Sequence, residues 1–113
     1  MNKVIIMLML SLLFSCASFT NENKNHHQGY FSYLADAAIF IDCDTKEKYP
    51  VAMEGDYITM EKKYLEISKT DGQEILVRVN GKFIDRDKIE GEGKRKFLVV
   101  SKFIEFMPNR SCD

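Results

Sequence analysis

The side chains of this 113-residue chain that could carry chemistry are its three cysteines, one pair of adjacent histidines, and scattered methionines and carboxylates. His26-His27 offers imidazole to copper or zinc. With no further ligand close in the sequence, the dipeptide is a weak metal candidate. Met53, Met60 and Met107 could hold soft Cu(I), but isolated methionines at helix and strand positions read as core filling. Asp36 and Asp42 interrupt an otherwise apolar segment. The folded part has no further histidine to act as a base, and no serine or cysteine there has a visible activating partner, so no catalytic constellation is identified. The two aspartates read as turn or bulge residues with hydrogen-bonded carboxylates. The expectation is a non-enzymatic protein without a cofactor.

The cysteines say more. Met1-Asn2-Lys3 and the apolar run from Val4 to Phe14 have the charged start and short apolar core of a signal peptide. A membrane-spanning helix needs about twenty apolar residues, and this run is shorter. Its end, Leu13-Phe14-Ser15-Cys16, resembles the lipobox of bacterial lipoproteins, in which the cysteine is acylated and becomes the new N-terminus. The expected division is a signal peptide over residues 1–15, a lipidated flexible tether over 16–28 and one folded domain over 29–113. Acylation with several chains, palmitate among them, would hold the protein stably on a bilayer, since each buried methylene contributes about 0.8 kcal/mol. By resemblance to lipoprotein sorting in Gram-negative envelopes, where an aspartate after the cysteine favours inner-membrane retention, Ala17 implies the outer membrane and a domain facing the periplasm. With Cys16 consumed by lipid in an oxidising compartment, Cys43 and Cys112 have only each other, and a disulfide between them is expected.

Composition narrows the partners. Sixteen basic residues against seventeen acidic ones leave a net charge of −1, and the signs alternate along the chain, so nucleic acid is not an expected partner. The one basic cluster, Lys94-Arg95-Lys96, follows Glu90 and Glu92 and reads as part of a solvated hairpin turn. The residues from Gly29 to Cys43 alternate as one long strand, or as two strands joined at a bend. Lys48–Met53 reads as a hairpin partner, with Pro50 favouring an edge. Asp56 is placed to cap a helix carrying Tyr57, Met60, Tyr64 and Ile67 at spacings of three and four. Glu74–Val79 and Lys82–Ile89 flank Asn80-Gly81, a strong hairpin signal. Arg95–Phe106 has apolar residues on both faces, which fits a strand that bends and changes the side it buries. The fold expected is mainly β: a small five-stranded OB-like barrel with one helix, closed by the disulfide.

The segment Tyr33–Thr45, continued by Tyr49, Val51 and Ala52, resembles the C-terminal OB domain of the NlpE outer-membrane lipoprotein family. Glu61–Leu65, Val77–Phe83 and the ending Phe106–Cys112 fall where that domain has similar elements. The resemblance implies a disulfide at Cys43 and Cys112, and links the chain to copper tolerance, surface sensing and envelope-stress signalling through the Cpx system. The family's N-terminal domain carries a Cys-x-x-Cys motif that this sequence lacks. The function expected is a membrane-anchored, non-catalytic interaction or sensing module in envelope stress or copper homeostasis, with an envelope protein as partner. A lipid-anchored inhibitor of a lysozyme or other envelope hydrolase is the alternative.

Overall fold

The structure is a computed structural model that describes residues 25–88 and 90–112. The expected signal peptide, Cys16 and the tether up to residue 24 lie outside the described residues. Five strands, β1 (His26–Leu34), β2 (Ala37–Asp42), β3 (Lys48–Pro50), β4 (Ile75–Asp87) and β5 (Lys94–Met107), and one helix, α1 (Tyr57–Ile67), follow in that chain order. They form one sheet in the order β3-β2-β1-β4-β5, every neighbouring pair antiparallel.

The apolar stretch after Gly29 becomes two strands because Ala35 and Asp36 both take left-handed backbone (φ 53° and 67°) and fold the chain back on itself. Two successive positive φ values match the twist of a tight hairpin. Asp36 tolerates that conformation, whereas Ala35 holds it at a cost of about 1 kcal/mol. The hairpin aligns Phe31 with Phe40 on the inner face, and both are buried. Helix α1 closes the core with its Tyr57, Met60 and Tyr64 side, all buried. Tyr64 meets the ring of Phe31 edge-on at 5.3 Å, and Phe106 comes within 6.2 Å of Tyr64. Val77 and Val79 from β4 and Leu98 and Val100 from β5 complete the core, each fully buried.

Four expectations need correction. First, Asn80-Gly81 is no hairpin turn: β4 runs through it without a break to Asp87, and β5 begins only at Lys94. The ladder slips at Asn80-Gly81 instead. Val79 faces Phe103, Asn80 faces Lys102 and Gly81 faces Val100, with a second slip at Arg78/Val79. Ser101 and Ile104 are therefore the extra residues of two bulges, which bend β5 and move its buried side from Leu98 and Val100 to the Phe103 and Phe106 positions. Glycine is needed because a Cβ at position 81 would collide with the Val99 carbonyl. Second, the strand expected over Lys48–Met53 ends at Pro50, since Ala52 turns its N–H to the Leu98 carbonyl, 2.9 Å away.

Third, the sheet does not close into a continuous barrel. Its edges, β3 and β5, meet through a single parallel bridge, Val51 to Leu98. Continuing that parallel register by one step would require the N–H of residue 50 to reach the Lys96 carbonyl, and Pro50 has no N–H. The Val51 N–H bonds inward to the Ala38 carbonyl on β2 (2.9 Å), so by alternation the empty position at Pro50 faces the gap. Proline marks the edge as expected, and it also stops closure. Fourth, residues 26–28, expected to belong to the tether, are part of a strand. His26, His27 and Gln28 already belong to β1, paired with Asn80, Val79 and Arg78 of β4, because β4 extends far enough past the bulge to offer them a ladder.

Candidate functional site: the disulfide clasp and the open seam

The clasp forms where β2 ends. Asp42, 8 % exposed, accepts hydrogen bonds through Oδ2 from the Thr45 hydroxyl (3.1 Å) and the Thr45 N–H (3.4 Å). The Asp42 carbonyl takes the Lys46 N–H at 2.8 Å. This turn presents Cys43, whose N–H donates to the Gln28 carbonyl (2.9 Å), back toward β1. Cys112 comes from the other end of the chain and donates its N–H to the Tyr30 hydroxyl at 3.1 Å. The two cysteines are disulfide-bonded with their Cα atoms 5.4 Å apart, 69 residues apart in sequence. Both ends are thus aligned by hydrogen bonds to β1 that do not depend on the sulfur bridge.

The other residues singled out by type are dispersed. Adjacent strand residues point to opposite faces, so His26 and His27 are not brought together. The His26 ring lies against Arg78, with Arg78 Nε 3.4 Å from His26 Nε2. His27 stacks edge-on with Phe83 at 4.7 Å, and its Nε2 is 3.2 Å from the Gly81 carbonyl. Met60 is core, Met107 ends β5 and is half-buried, and Met53 is 60 % exposed. Among the described residues, no three His, Cys, Asp or Glu side chains converge. Asp36 accepts a hydrogen bond from the Tyr33 hydroxyl (3.0 Å), and that carboxylate holds the Tyr33 phenol above its ordinary value. Burial first, and the Glu61 carboxylate one turn along the helix second, push the Tyr57 phenol well up. Its buried hydroxyl has no hydrogen-bond partner among the described residues.

Asp56 stands at the N-terminus of α1 as expected but does not cap it. No side-chain cap bond forms. Instead Asp56 Oδ2 accepts the Phe103 N–H at 2.7 Å, while its own N–H donates to the Val100 carbonyl at 2.9 Å. The residue therefore bolts the start of the helix across the β5 bulge between Val100 and Phe103. Sequence reasoning placed the right residue at the right helix end and missed the carboxylate's target, which depends on a bulge forty-odd residues away.

A groove runs along the seam left by Pro50. On the outer side of the seam, Ala37, Ile39, Pro50, Met53 and Phe97 line this largely apolar groove of about 380 Å³, with Asp36 and Arg95 also on its wall. A second depression shares Pro50, Arg95 and Phe97 and adds Lys88 and Glu90. The charges beside it are unevenly matched. Lys94 pairs with Asp87 (2.9 Å) and Lys96 with Asp85 (3.1 Å) across the hairpin. Arg86 and Arg95 face each other in register. Glu54 takes Arg86 in a two-point contact, one arm at 3.0 Å, and the guanidinium holds the Glu54 carboxyl below its usual range. Arg95 makes no ion pair among the described residues. The Lys94-Arg95-Lys96 cluster thus opens β5 instead of lying in the turn, with two members neutralised and one not.

Comparison with known proteins is consistent with this architecture. Residues 21–113 match the family model described as the NlpE C-terminal OB domain. Lipoprotein NlpE of Escherichia coli (strain K12) is 29 % identical over 85 residues, which are 75 % of this chain and 35 % of that protein. The crystal structure of the Cpx pathway activator NlpE from Escherichia coli superposes with a TM-score of 0.63 at 26 % identity, covering 88 % of this chain and 54 % of that one. The chain thus spans about a third of the length of the curated relative it matches. From the disulfide clasp, the five-stranded sheet with its single helix and the match over residues 21–113, the chain belongs to the NlpE C-terminal OB domain family.

Proposed function

We propose that this chain is a lipid-anchored, non-catalytic interaction and sensing module of the bacterial envelope stress response, tethered through acylated Cys16 to the outer membrane and facing the periplasm. The observation that carries the reading is the match, across nearly the whole folded domain, to a lipoprotein that activates the Cpx pathway. The clasp supports it physically. A domain this small draws a large share of its stability from one covalent bridge, so its folded population follows the oxidising state of the envelope. The single-cysteine lipid anchor makes its position follow lipoprotein traffic. A fault in either process changes which partner the domain meets. Envelope stress is favoured over copper homeostasis because His26 and His27 occupy opposite faces of β1 and are engaged by Arg78 and by Phe83 and Gly81.

The test is an envelope-stress transcriptional reporter in cells producing the full chain, Cys16→Ala or Cys112→Ser. The expected result is a change in reporter output for both variants relative to the unaltered chain. Identical output from all three would refute the proposal.

A further inference from the structure

The β3/β5 seam has two separate properties that converge on one kind of occupant. The first is main-chain valence. β5 bonds to β4 on one side only, and on the other side its pairing with the β3 segment stops at Leu98 because Pro50 cannot supply the next donor. The N–H and C=O groups of Lys94 and Lys96 are left aimed across the gap, the arrangement that accepts an added strand. The second is the groove beside that edge, whose apolar wall of Ile39, Pro50, Met53 and Phe97 ends at Arg95. Like charges directly opposite each other on a sheet are destabilising. Arg86 has Glu54, and its neighbour Arg95 has no anion of its own among the described residues.

We infer that the seam is a docking site for an extended segment of a partner protein, which adds a strand to the free edge of β5, seats an apolar side chain against Pro50 and Phe97, and sets a carboxylate on Arg95. This deepens the proposed function, on which it rests, by naming the surface and the class of partner. A strand laid on β5 alternates its side chains. An acidic residue and an apolar residue two positions apart therefore fall on the same face, matching the adjacent placement of Arg95 and Phe97 along the outer side of β5. Pro50 serves as the device that keeps the seam open, since a residue with an N–H there would let β3 satisfy Lys96 and fill the site from within.

The test uses the full acylated chain in detergent micelles and two fluorescein-labelled probe peptides, Thr-Glu-Thr-Val-Thr and Thr-Lys-Thr-Val-Thr, in which the charged and the apolar residue stand two positions apart and share a strand face. Anisotropy reads binding, and hydrogen–deuterium exchange reads protection of the β5 amides. The expected result is saturable binding of the acidic peptide only, with slowed exchange confined to residues 94–98. Arg95→Glu should weaken it about tenfold, the loss of one charged contact. Pro50→Val should abolish it while leaving the thermal midpoint unchanged or raised, which separates closure of the seam from misfolding. Binding that is insensitive to both variants, equal binding of the two peptides, or protection elsewhere would overturn the inference. So would concentration-dependent self-association that protects residues 94–98 without peptide, because the seam would then belong to a second copy. Since the readout is binding by purified protein, its failure is distinguishable from a silent stress reporter: peptide binding with a silent reporter leaves the site and removes the signalling role.

Discussion

Removing the Cys43–Cys112 bridge, by the double substitution Cys43→Ser with Cys112→Ser, should destabilise the domain far more than any single change to its surface. The bridge closes a loop of 69 residues, and restricting an unfolded chain by a loop of that length contributes roughly 4 kcal/mol in the chain-entropy account. The native side loses little to offset this. The Cys43 N–H keeps the Gln28 carbonyl and the Cys112 N–H keeps the Tyr30 hydroxyl, so the two ends stay where they are. A domain of this size shifts its melting midpoint by roughly 4–8 °C per kcal/mol, which gives a fall of about 15–30 °C. Since total stabilities lie at roughly 5–15 kcal/mol, the reduced form is expected to be partly unfolded at growth temperature. Circular dichroism melts of the oxidised chain, the chain under reductant and the double variant measure this. The reduced chain and the double variant should melt together, well below the oxidised one. A shift under about 5 °C in both would refute the reasoning, because the unfolded chain would then gain almost no freedom from opening the loop.

Three further perturbations separate the accounts given for individual residues. Asp56→Ser supplies a good helix cap but is too short to reach Phe103, so both Asp56→Ser and Asp56→Ala should destabilise by about 1.5–3 kcal/mol, the range for losing a charge-assisted bond to a half-buried N–H; full rescue by serine in denaturant titrations would restore the capping role. Gly81→Ala should cost about 1–3 kcal/mol through the clash with the Val99 carbonyl, whereas Asn80→Ala should be mild; equal and small effects would contradict the bulge. Arg86 holds the Glu54 carboxyl below the ordinary glutamate range, so the pair's stabilisation is fully present above that range and is lost as the pH falls through the lower folded-state value. Glu54→Gln should accordingly lower the melting midpoint at neutral pH, with the gap closing in acid; a gap that widens in acid would contradict the sign.

Local patterns in the sequence carried most of the secondary structure, and long-range pairing carried most of what they missed. Tyr57, Met60, Tyr64 and Ile67 announced the helix by spacing alone, and the structure places α1 on those residues. Asn80-Gly81 misled because a dipeptide suited to a tight turn is equally suited to a bulge: position 81 must lack a Cβ in either case, and which one forms depends on Val99 and Val100 across the ladder. Pro50 was legible as an edge residue, yet its larger effect, stopping the sheet from closing, required knowing that Leu98 lies beside Val51. The disulfide followed from counting cysteines. Arg95 could not be told from Lys94 and Lys96 in sequence, because its lack of an ion-pair partner among the described residues follows only from the register that gives Asp87 and Asp85 to its neighbours.

The most direct test of the tethered, disulfide-closed module is the intact mass of the protein extracted from membranes, measured before and after reduction. The account predicts a mature chain that begins at Cys16, carries acyl groups there, and gains two hydrogens when reduced. A chain without lipid on Cys16, or one whose mass is unchanged by reductant because Cys43 and Cys112 are free thiols, would contradict it.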